Sequence, residues 1–250
     1  GGPNAAGTTI NIPLPPNTSE EGILHAVSEV VLPILHEFEP EIIVNSAGQD
    51  NHYSDPITNM NFSAQGYAQL TAMLKPDIAV LEGGYAIEGA LPYVNAGIIL
   101  AMAGMDFSRL KEPDYDPVKI SQSPEVTRWV HKTCDKVLEN WQQRRHLGDI
   151  YRADYRFIDR DRQIYYDTDN IHEEQKETVR VCDNCGGALR IDSAARGGTH
   201  ILAVHIPRHA CEACRKQGRS WYDEADDARY GKVYLQDRSD DVILEKSHAT

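Results

Sequence analysis

Four of the five cysteines stand in two Cys-x-x-Cys pairs whose spacing is typical of a metal site. Cys182 pairs with Cys185 and Cys211 with Cys214, and 25 residues separate the two pairs. Two such pairs can place four thiolates tetrahedrally around Zn²⁺. The glycines that follow Cys185 permit the tight turn of a zinc knuckle. Because four protein ligands leave no open coordination position, we expect a structural zinc whose removal unfolds the surrounding module.

Other interpretations of the cysteines are free thiols, a redox-active pair, or the replacement of one thiolate by a histidine. Redox motifs seldom occur as two matched pairs, which favours the metal site. Three histidines between the pairs could act as the replacement ligand, namely His200, His205 and His209. The fifth cysteine, Cys134, lies on the apolar face of a predicted helix and is expected to be a core residue.

A second set of polar residues follows two predicted strands, Ile42–Ser46 and Ile78–Glu82. By spacing alone, Asp50, His52 and Asp55 could form a metal cluster. An aspartate before proline also initiates turns, however, and loop aspartates often accept hydrogen bonds from backbone amides. The second strand leads into the segment Glu82-Gly83-Gly84-Tyr85, where a phenol could donate to a substrate oxygen, although Gly-Gly-Tyr is also common in turns. Taken alone, neither segment identifies a function.

The elements that must position these residues are predicted to alternate between strands and helices. The two predicted strands have the apolar pattern of parallel strands buried on both faces, so their polar ends should face one crevice. A further strand is predicted over Thr8–Leu14, followed by a helix that begins near Ser19 and is kinked at Pro33. Two more helices are predicted, over residues 63–74 and 87–104. This order indicates an α/β fold with right-handed crossovers.

Composition limits the possible functions of the 250 residues. An apolar content of 41% can build a core, and a net charge of −13 makes a nucleic-acid surface unlikely over the whole protein. No apolar run approaches the roughly 20 residues needed to span a bilayer, and no secretory signal is recognisable. Cysteines arranged for metal binding suggest a reducing compartment, so we expect a cytoplasmic protein without a membrane partner.

The chain is predicted to contain three segments. Residues 1–110 form part of a larger α/β domain, since three strands make a narrow parallel sheet. Residues 111–178 are a linker and helical connector, with a helix from Glu125 to about Arg145. Residues 179–250 are a small zinc-ribbon module. The sequence opens with Gly1 instead of methionine, which suggests an engineered segment, a processed product or a fragment.

Four motifs in succession carry a family resemblance: Asn11–Pro16, Glu41–Pro56, Gly66-Tyr67 and Leu81–Tyr85. In order and spacing they resemble the carboxyl-terminal half of the zinc-dependent histone deacetylases. The similarity is greatest to the bacterial acetoin-utilisation and acetylpolyamine-amidohydrolase branch, and it covers about residues 7 to 105. It implies an arginase-like α/β fold and hydrolysis of an acylated amine such as acetyl-lysine or an acetylpolyamine.

The resemblance also implies roles for individual residues. Asp55 matches the last ligand of the catalytic zinc, and Tyr85 matches the tyrosine that hydrogen-bonds the scissile carbonyl. Gly83 and Gly84 match the floor of the substrate channel, and Phe62 falls at an apolar wall position. By the same resemblance, Asp50 and His52 are not zinc ligands.

Two departures from the family pattern matter. Gln49 and Asn51 stand where the family usually has Phe and Ala, and Asn17, Ser19 and Glu20 stand where it has Gly, Gly and Asp. The family's other zinc ligands, an Asp-x-His, and its paired histidines belong to sequence that would precede this chain. One carboxylate cannot hold catalytic zinc, which needs about three protein ligands.

The sequence therefore predicts the carboxyl-terminal portion of a deacetylase-like amidohydrolase that is inactive without its missing amino-terminal part. The alternative is a non-catalytic scaffold that combines a degenerate deacetylase fold with the ribbon. A protein partner could bind through the ribbon, and basic residues around the second knuckle could contact nucleic acid but are more often simply solvated. Those basic residues are Arg208, Arg215, Lys216 and Arg219.

Overall fold

The computed structural model of the chain describes residues 3–5, 7–154 and 156–247, with the side chains of 147 and 150–154 excepted. Gly1, with which the sequence starts, and residue 250, the predicted end of the zinc-ribbon module, lie outside the described residues. Contacts divide the chain into two units. We call Asn11–Asn140 the two-stranded unit, and Gly1–Ile10 with Trp141–Thr250 the six-stranded unit. No helix in the described part of the chain has the length and apolar character to cross a membrane.

The two-stranded unit contains helices and strands in alternation, as predicted. Its elements are α1 (Glu20–Ala26), a π-helical turn (Val27–Val31), α2 (Leu32–Phe38), β1 (Val44–Ala47), α3 (Ala64–Leu74), β2 (Ile78–Leu81), α4 (Leu91–Met102) and the start of α5 (Pro124–Asp154). Strands β1 and β2 pair in parallel, with Val44 opposite Ile78 and Ala47 opposite Leu81. The α/β prediction with a parallel sheet is confirmed.

Local sequence explains where the helices of this unit begin and break. The Ser63 hydroxyl accepts a hydrogen bond from the Gly66 amide at 3.0 Å and caps α3. Pro33 lies in the first turn of α2, directly after the π turn. A proline ring would clash with the carbonyl four residues earlier in a regular helix, so the extra residue in this turn accommodates it. The predicted kink is thus realised as a π turn.

Two local predictions fail in the described residues. Thr8–Leu14 forms no strand, because Pro13 and the two prolines after Leu14 lack the amide donors of a ladder. The strands β1 and β2 are not buried on both faces within this chain: Val44, Ile78, Val80 and Leu81 are exposed. Val44, Ile78 and Val80 share one exposed face, whereas Leu81 lies on the other face at the end of β2. Ala47 and Ala79 on that other face pack in a core cluster whose other buried members are Ile23, Phe62, Ala64, Tyr67, Val94 and Ile98.

The six-stranded unit is a mixed sheet with one helix packed on it. The strands are β3 (Phe157–Tyr166), β4 (Ile171–Arg180), β5 (Leu189–Ala195), β6 (Ile201–Ile206), β7 (Lys232–Asp237) and β8 (Val242–Ser247), in that order across the sheet. Only β6 and β7 pair in parallel, and α6 (Glu212–Asp223) connects them. Alternate residues of β6 and β7 are buried in a core with Tyr222 and Tyr230.

The hairpin β3–β4 belongs to the same sheet as the strands around the cysteines, although most of it precedes residue 179. Its strands carry many charges, such as Arg160 and Arg162 paired with the buried Glu177, and these charges obscure the apolar periodicity of a strand. The domain boundaries predicted at residues 110 and 178 stay predictions.

Candidate active-site loop and four-cysteine centre

The loop after β1 is folded into consecutive turns by its own backbone and by the segment after β2. The Gln49 amide donates to the carbonyl of Gly83, and the Asp55 amide donates to the carbonyl of His52 at 2.8 Å. The Tyr53 amide donates to the carbonyl of Phe62 at 3.0 Å, which ties the loop to the residues leading into α3. The carboxyl ends of β1 and β2 therefore lie side by side, as expected for parallel strands.

Asp55 joins these two segments through its carboxylate. Oδ2 accepts a hydrogen bond from the Tyr85 amide at 2.7 Å, and Oδ1 accepts one from the Ile57 amide at 2.9 Å. The residue is only 7% exposed. Because each oxygen has a second lone pair, the fixed carboxylate can still bind a cation. The structure thus brings Asp55 and the backbone of Tyr85 together, whereas the sequence predicted that the tyrosine hydroxyl shares the site.

The glycines before Tyr85 allow close approach of the two loops. A Cβ at Gly84, whose φ is +156°, would lie 2.9 Å from Cβ of Gln49, and one at Gly83 would lie 3.0 Å from Oδ2 of Asp50. The Tyr85 side chain is 52% exposed. Phe62 is a core residue with 1% exposure, and its ring packs 4.5 Å from that of Tyr67. The substrate-binding and catalytic roles of Phe62, the glycines and Tyr85 remain predictions.

His52 is fully buried and both of its ring nitrogens have protein partners. Nε2 lies 2.8 Å from Oε1 of Glu112, and Nδ1 lies 2.9 Å from Oγ of Ser54. Glu112 is 2% exposed, and its Oε1 also accepts the amide of Ala64 at the start of α3. His52 is therefore committed to structure, in agreement with the resemblance and not with the metal cluster that spacing alone allowed.

Two carboxylates near the start of α3 have opposite pKa shifts. Burial raises the pKa of the Glu20 carboxyl; the Ser63 hydroxyl opposes this shift and Glu112 reinforces it. Burial would also raise the pKa of Glu112, but hydrogen bonds from His52 and the Ala64 amide outweigh it and lower that pKa. Glu112 is thus held as a buried carboxylate.

Asp55 is predicted to be one ligand of a catalytic zinc, and this role stays a prediction. Among the described residues, only the four paired cysteines form a group of three or more potential metal ligands. Catalytic zinc needs about three protein ligands, so Asp55 fits as one member of a site completed by residues outside those described.

The four paired cysteines converge on one point in the six-stranded unit. Their sulfurs all lie within 4.8 Å of one another, and Sγ of Cys182 is 3.7 Å from the sulfurs of both Cys185 and Cys211. A tetrahedral site with Zn–S bonds of about 2.3 Å has sulfurs about 3.8 Å apart. The sulfur geometry therefore fits a zinc ion, and the pairing of two knuckles is confirmed as a four-cysteine group.

Hydrogen bonds support the thiolates of this group. Nη1 of Arg180 lies 2.7 Å from Sγ of Cys214, and the Asn184 amide donates to Sγ of Cys182 at 3.4 Å. Burial raises the pKa of the Cys182 thiol, but the Asn184 amide and the neighbouring cysteines outweigh it and lower the pKa to about 7. Burial raises the pKa of Cys214, with Arg180 opposing. A cation would favour all four thiolates.

The side chain of Asn4 braces the first knuckle. It donates to the carbonyls of Arg180 at 2.8 Å and Gly186 at 3.1 Å, and it accepts the Cys182 amide at 2.8 Å. Gly187 has φ of +79°, and a Cβ there would lie 2.2 Å from the Arg180 carbonyl oxygen. Glycine is therefore required in this knuckle.

The three histidines between the cysteine pairs do not belong to the metal-ligand group. His200 lies 2.5 Å from Asp192, and His205 lies 2.9 Å from Oε1 of Gln236. His209 is likewise not a member of the group. Cys134 is 2% exposed in the two-stranded unit, as expected of a core residue.

Comparison with known proteins agrees with the architecture of the two-stranded unit. Residues 1–102 match the histone deacetylase domain. A probable deacetylase of Archaeoglobus fulgidus is 50% identical over 117 residues, which is 43% of this chain and 33% of that protein. A histone deacetylase-like amidohydrolase of Pseudomonas aeruginosa is 28% identical over 125 residues, 46% of this chain and 32% of that protein. The amino-terminal part of the chain is therefore similar to the histone deacetylase domain.

Other relatives fall in the branch that the motifs indicated. The acetoin utilization protein AcuC of Staphylococcus aureus is 24% identical over 167 residues, 63% of this chain and 39% of that protein. Among solved structures, the histone deacetylase Clr3 aligns with a TM-score of 0.46 and 24% identity over 55% of this chain and 22% of that chain. The chain spans about a third of the length of the first curated relatives it matches.

Two supporting residues were not found from the sequence. Glu112 lies in a charged, proline-containing segment that resembles a linker. Arg180 ends a strand that carries several other charged residues, so its charge alone does not mark it. The position of Arg180 two residues before Cys182 is a weak signal, since cations often accompany thiolate clusters. No local pattern marks Glu112, because its partner His52 is 60 residues away.

Proposed function

We propose that this chain is the carboxyl-terminal portion of a zinc-dependent deacetylase-like amidohydrolase that acts on acylated amines. The observation that carries the proposal is the hydrogen bond from the Tyr85 amide to Oδ2 of Asp55 at 2.7 Å. This bond holds the Asp55 carboxylate, which we propose as a zinc ligand, next to the Gly83-Gly84-Tyr85 segment. The match of residues 1–102 to the histone deacetylase domain supports a hydrolase of this class.

Each residue of the proposed site has a distinct task. Asp55 would hold zinc together with ligands outside the described residues, and zinc when bound would polarise the acyl carbonyl and activate water. The Tyr85 hydroxyl would donate to the carbonyl oxygen as negative charge develops there. Gly83 and Gly84 would let the substrate's acyl amide approach the backbone, with Phe62 supporting the apolar wall. Acetyl-lysine and acetylpolyamines are the proposed substrate types.

The exposed face of the two-stranded sheet supports a larger catalytic domain. Val44, Ile78 and Val80 would be unusual as a permanent surface, because parallel sheets normally have both faces covered. We propose that the missing amino-terminal deacetylase part covers this face and supplies the remaining zinc ligands. The 250 residues alone are then expected to be inactive.

The test compares this chain with the natural protein in its longest form. The complete protein should hydrolyse acetyl-lysine or acetylpolyamine substrates, lose activity on chelation and regain it with zinc, whereas this chain alone should not turn over. An Asp55→Asn variant of the complete protein should bind less zinc at the catalytic site. Zinc-dependent turnover by the 250-residue chain alone would refute the fragment interpretation.

We also propose that the four-cysteine centre holds a structural zinc. Its support is the sulfur spacing of 3.7 Å together with the Arg180 and amide donors around the thiolates. About one zinc per chain should survive dialysis at neutral pH, since structural zinc sites bind with roughly 10–16 kcal/mol. Metal analysis of protein produced with zinc present checks this, and a metal-free folded module would contradict it.

The alternative is a non-catalytic binding protein, and one observation favours it. Gln49, which stands where the family usually has Phe, is 2% exposed and its Oε1 has no hydrogen-bond partner among the described residues. A buried acceptor without a hydrogen bond costs about 1–3 kcal/mol of folding free energy. Gln49 is therefore less favourable for stability than the apolar residue that the family usually has at this position. Finding the Asp-x-His ligands and paired histidines in the complete protein would decide for the enzyme.

Partners other than substrate also remain proposals. Arg215 pairs with Asp240 at 2.6 Å, and Arg219 pairs with Asp237 at 2.6 Å. These ion pairs reduce the charge available to nucleic acid and favour a protein partner for the six-stranded unit. Reduced cysteines at a metal centre are compatible with the proposed cytoplasmic location.

A further inference from the structure

We propose that His52 and Glu112 form a buried positioning pair that fixes the metal-binding loop carrying Asp55. This inference rests on the proposed function and adds a residue from outside the family match, since residues 1–102 contain His52 but not Glu112. Neither residue would touch substrate or metal. Their task is to hold the turn that ends in the Asp55 carboxylate.

The geometry defines how the pair works. The Ser54 amide points at Nδ1 of His52 at 3.2 Å, so Nδ1 acts as an acceptor. Nε2 then carries the proton and donates to the Glu112 carboxylate at 2.8 Å. The imidazole is thereby held in one tautomer between the loop and Glu112. Because the Asp55 amide donates to the His52 carbonyl, fixing His52 also fixes the backbone at Asp55.

Glu112 connects the loop to the rest of the unit. Its Oε1 accepts the amide of Ala64, one of the free donors at the amino terminus of the 11-residue helix α3. The carboxylate therefore bridges the metal-binding loop and the rigid helix that packs on the core. Removing it would leave buried donors on His52 and Ala64 without their acceptor.

Charge distinguishes the pair from ordinary packing. A carboxylate that is 2% exposed is tolerated only if its hydrogen bonds compensate for desolvation. The neutral imidazole and the helix amide supply that compensation here. A glutamine keeps the acceptor oxygen and the shape, whereas an alanine removes both, so the two substitutions should differ.

The first test measures amide hydrogen exchange in the 250-residue chain and does not depend on activity. Glu112→Ala should accelerate exchange at Ser54 and Asp55 by about tenfold or more through local opening, and Glu112→Gln should change it far less. Asp114→Ala is the matched control, because Asp114 is an exposed carboxylate in the same segment. Unchanged exchange at Ser54 and Asp55 in a folded Glu112→Ala chain would overturn the proposal.

The second test uses the complete protein and separates positioning from stability. Glu112→Ala should lower zinc affinity at the catalytic site by roughly 10–100-fold and reduce kcat, with KM nearly unchanged. Glu112→Gln should restore most of both. If Glu112→Ala lowers only the melting temperature and leaves zinc affinity and kcat per folded molecule intact, the pair is merely structural and the proposal fails.

Failure of the proposed function would look different. A complete wild-type protein without zinc-dependent hydrolysis would refute the amidohydrolase assignment, while the exchange experiment would still decide whether Glu112 holds the loop.

Discussion

Replacing Arg180 with methionine probes the four-cysteine centre without removing a ligand. The guanidinium donates to Sγ of Cys214 at 2.7 Å, and methionine keeps much of the side-chain length but neither the charge nor the donor. Four thiolates around a divalent cation carry excess negative charge, which Arg180 offsets. The substitution should therefore weaken zinc binding more than folding of the zinc-loaded unit.

The magnitude follows from the kind of bond that is lost. A hydrogen bond to a charged group contributes about 1.5–3 kcal/mol, and each 1.4 kcal/mol corresponds to about tenfold in affinity. Arg180 is only partly buried, so solvent screening places the effect toward the lower end. We expect zinc affinity to fall by roughly 10-fold and at most 100-fold, the range seen when second-layer partners of metal ligands are removed.

The assay is competition for zinc between the protein and a chromophoric chelator at neutral pH. Arg215→Met is the matched control, because Arg215 follows Cys214 directly but pairs with Asp240 at 2.6 Å. Arg180→Lys should recover part of the loss. Equal zinc affinities for the wild type, Arg180→Met and Arg215→Met would refute the reasoning that this guanidinium compensates the thiolates.

Three other substitutions give distinct outcomes. In the complete protein, Tyr85→Phe should lower kcat by about 100-fold, the cost of one donor to a developing oxyanion, and an unchanged kcat would contradict its role. Because burial raises the pKa of Glu20, its ionisation begins to oppose folding as the pH rises above the ordinary value of 4.5 and opposes it fully above the raised pKa. Glu20→Gln should therefore raise Tm at neutral pH but not below pH 4.5 in calorimetry. An equal gain at both pH values would be inconsistent with this linkage. Gly187→Ala should destabilise the six-stranded unit by more than about 1 kcal/mol in denaturant melts. Gly197→Ala, with φ of +72° and no atom within 4 Å of its new Cβ, is the milder control, and equal losses would exclude the predicted clash.

Much of the framework could be read from the chain because it depends on short-range patterns. The helices and the two parallel strands follow from apolar periodicity, and Ser63 marks the start of α3 by its capping chemistry. The four-cysteine group was predictable because the two cysteines of each pair are separated by only two residues, which lets both thiols of a knuckle face the same point. The strand expected at Thr8–Leu14 was wrong because its prolines cannot supply a ladder, a signal that outweighs its alternating pattern.

The order of the motifs predicted that the segments carrying Asp55 and Tyr85 lie close together, since the carboxyl ends of adjacent parallel strands lie at the same edge of a sheet. The backbone amide that makes the contact was not predicted, because any residue at that position has one. The sequence also could not show that β1 and β2 expose an apolar face, since burial depends on which other segments pack against a strand.

By itself the sequence determined most elements of the two-stranded unit, the grouping of the four cysteines and the resemblance of the amino-terminal part to histone deacetylases, because these depend on residue types at short spacing. Only the tertiary structure decided the long-range partners. It placed Glu112 against His52, Arg180 against Cys214, and the hairpin β3–β4 in the same sheet as the cysteine module. Such contacts join residues tens of positions apart, and burial and charge compensation select them only once the chain has folded.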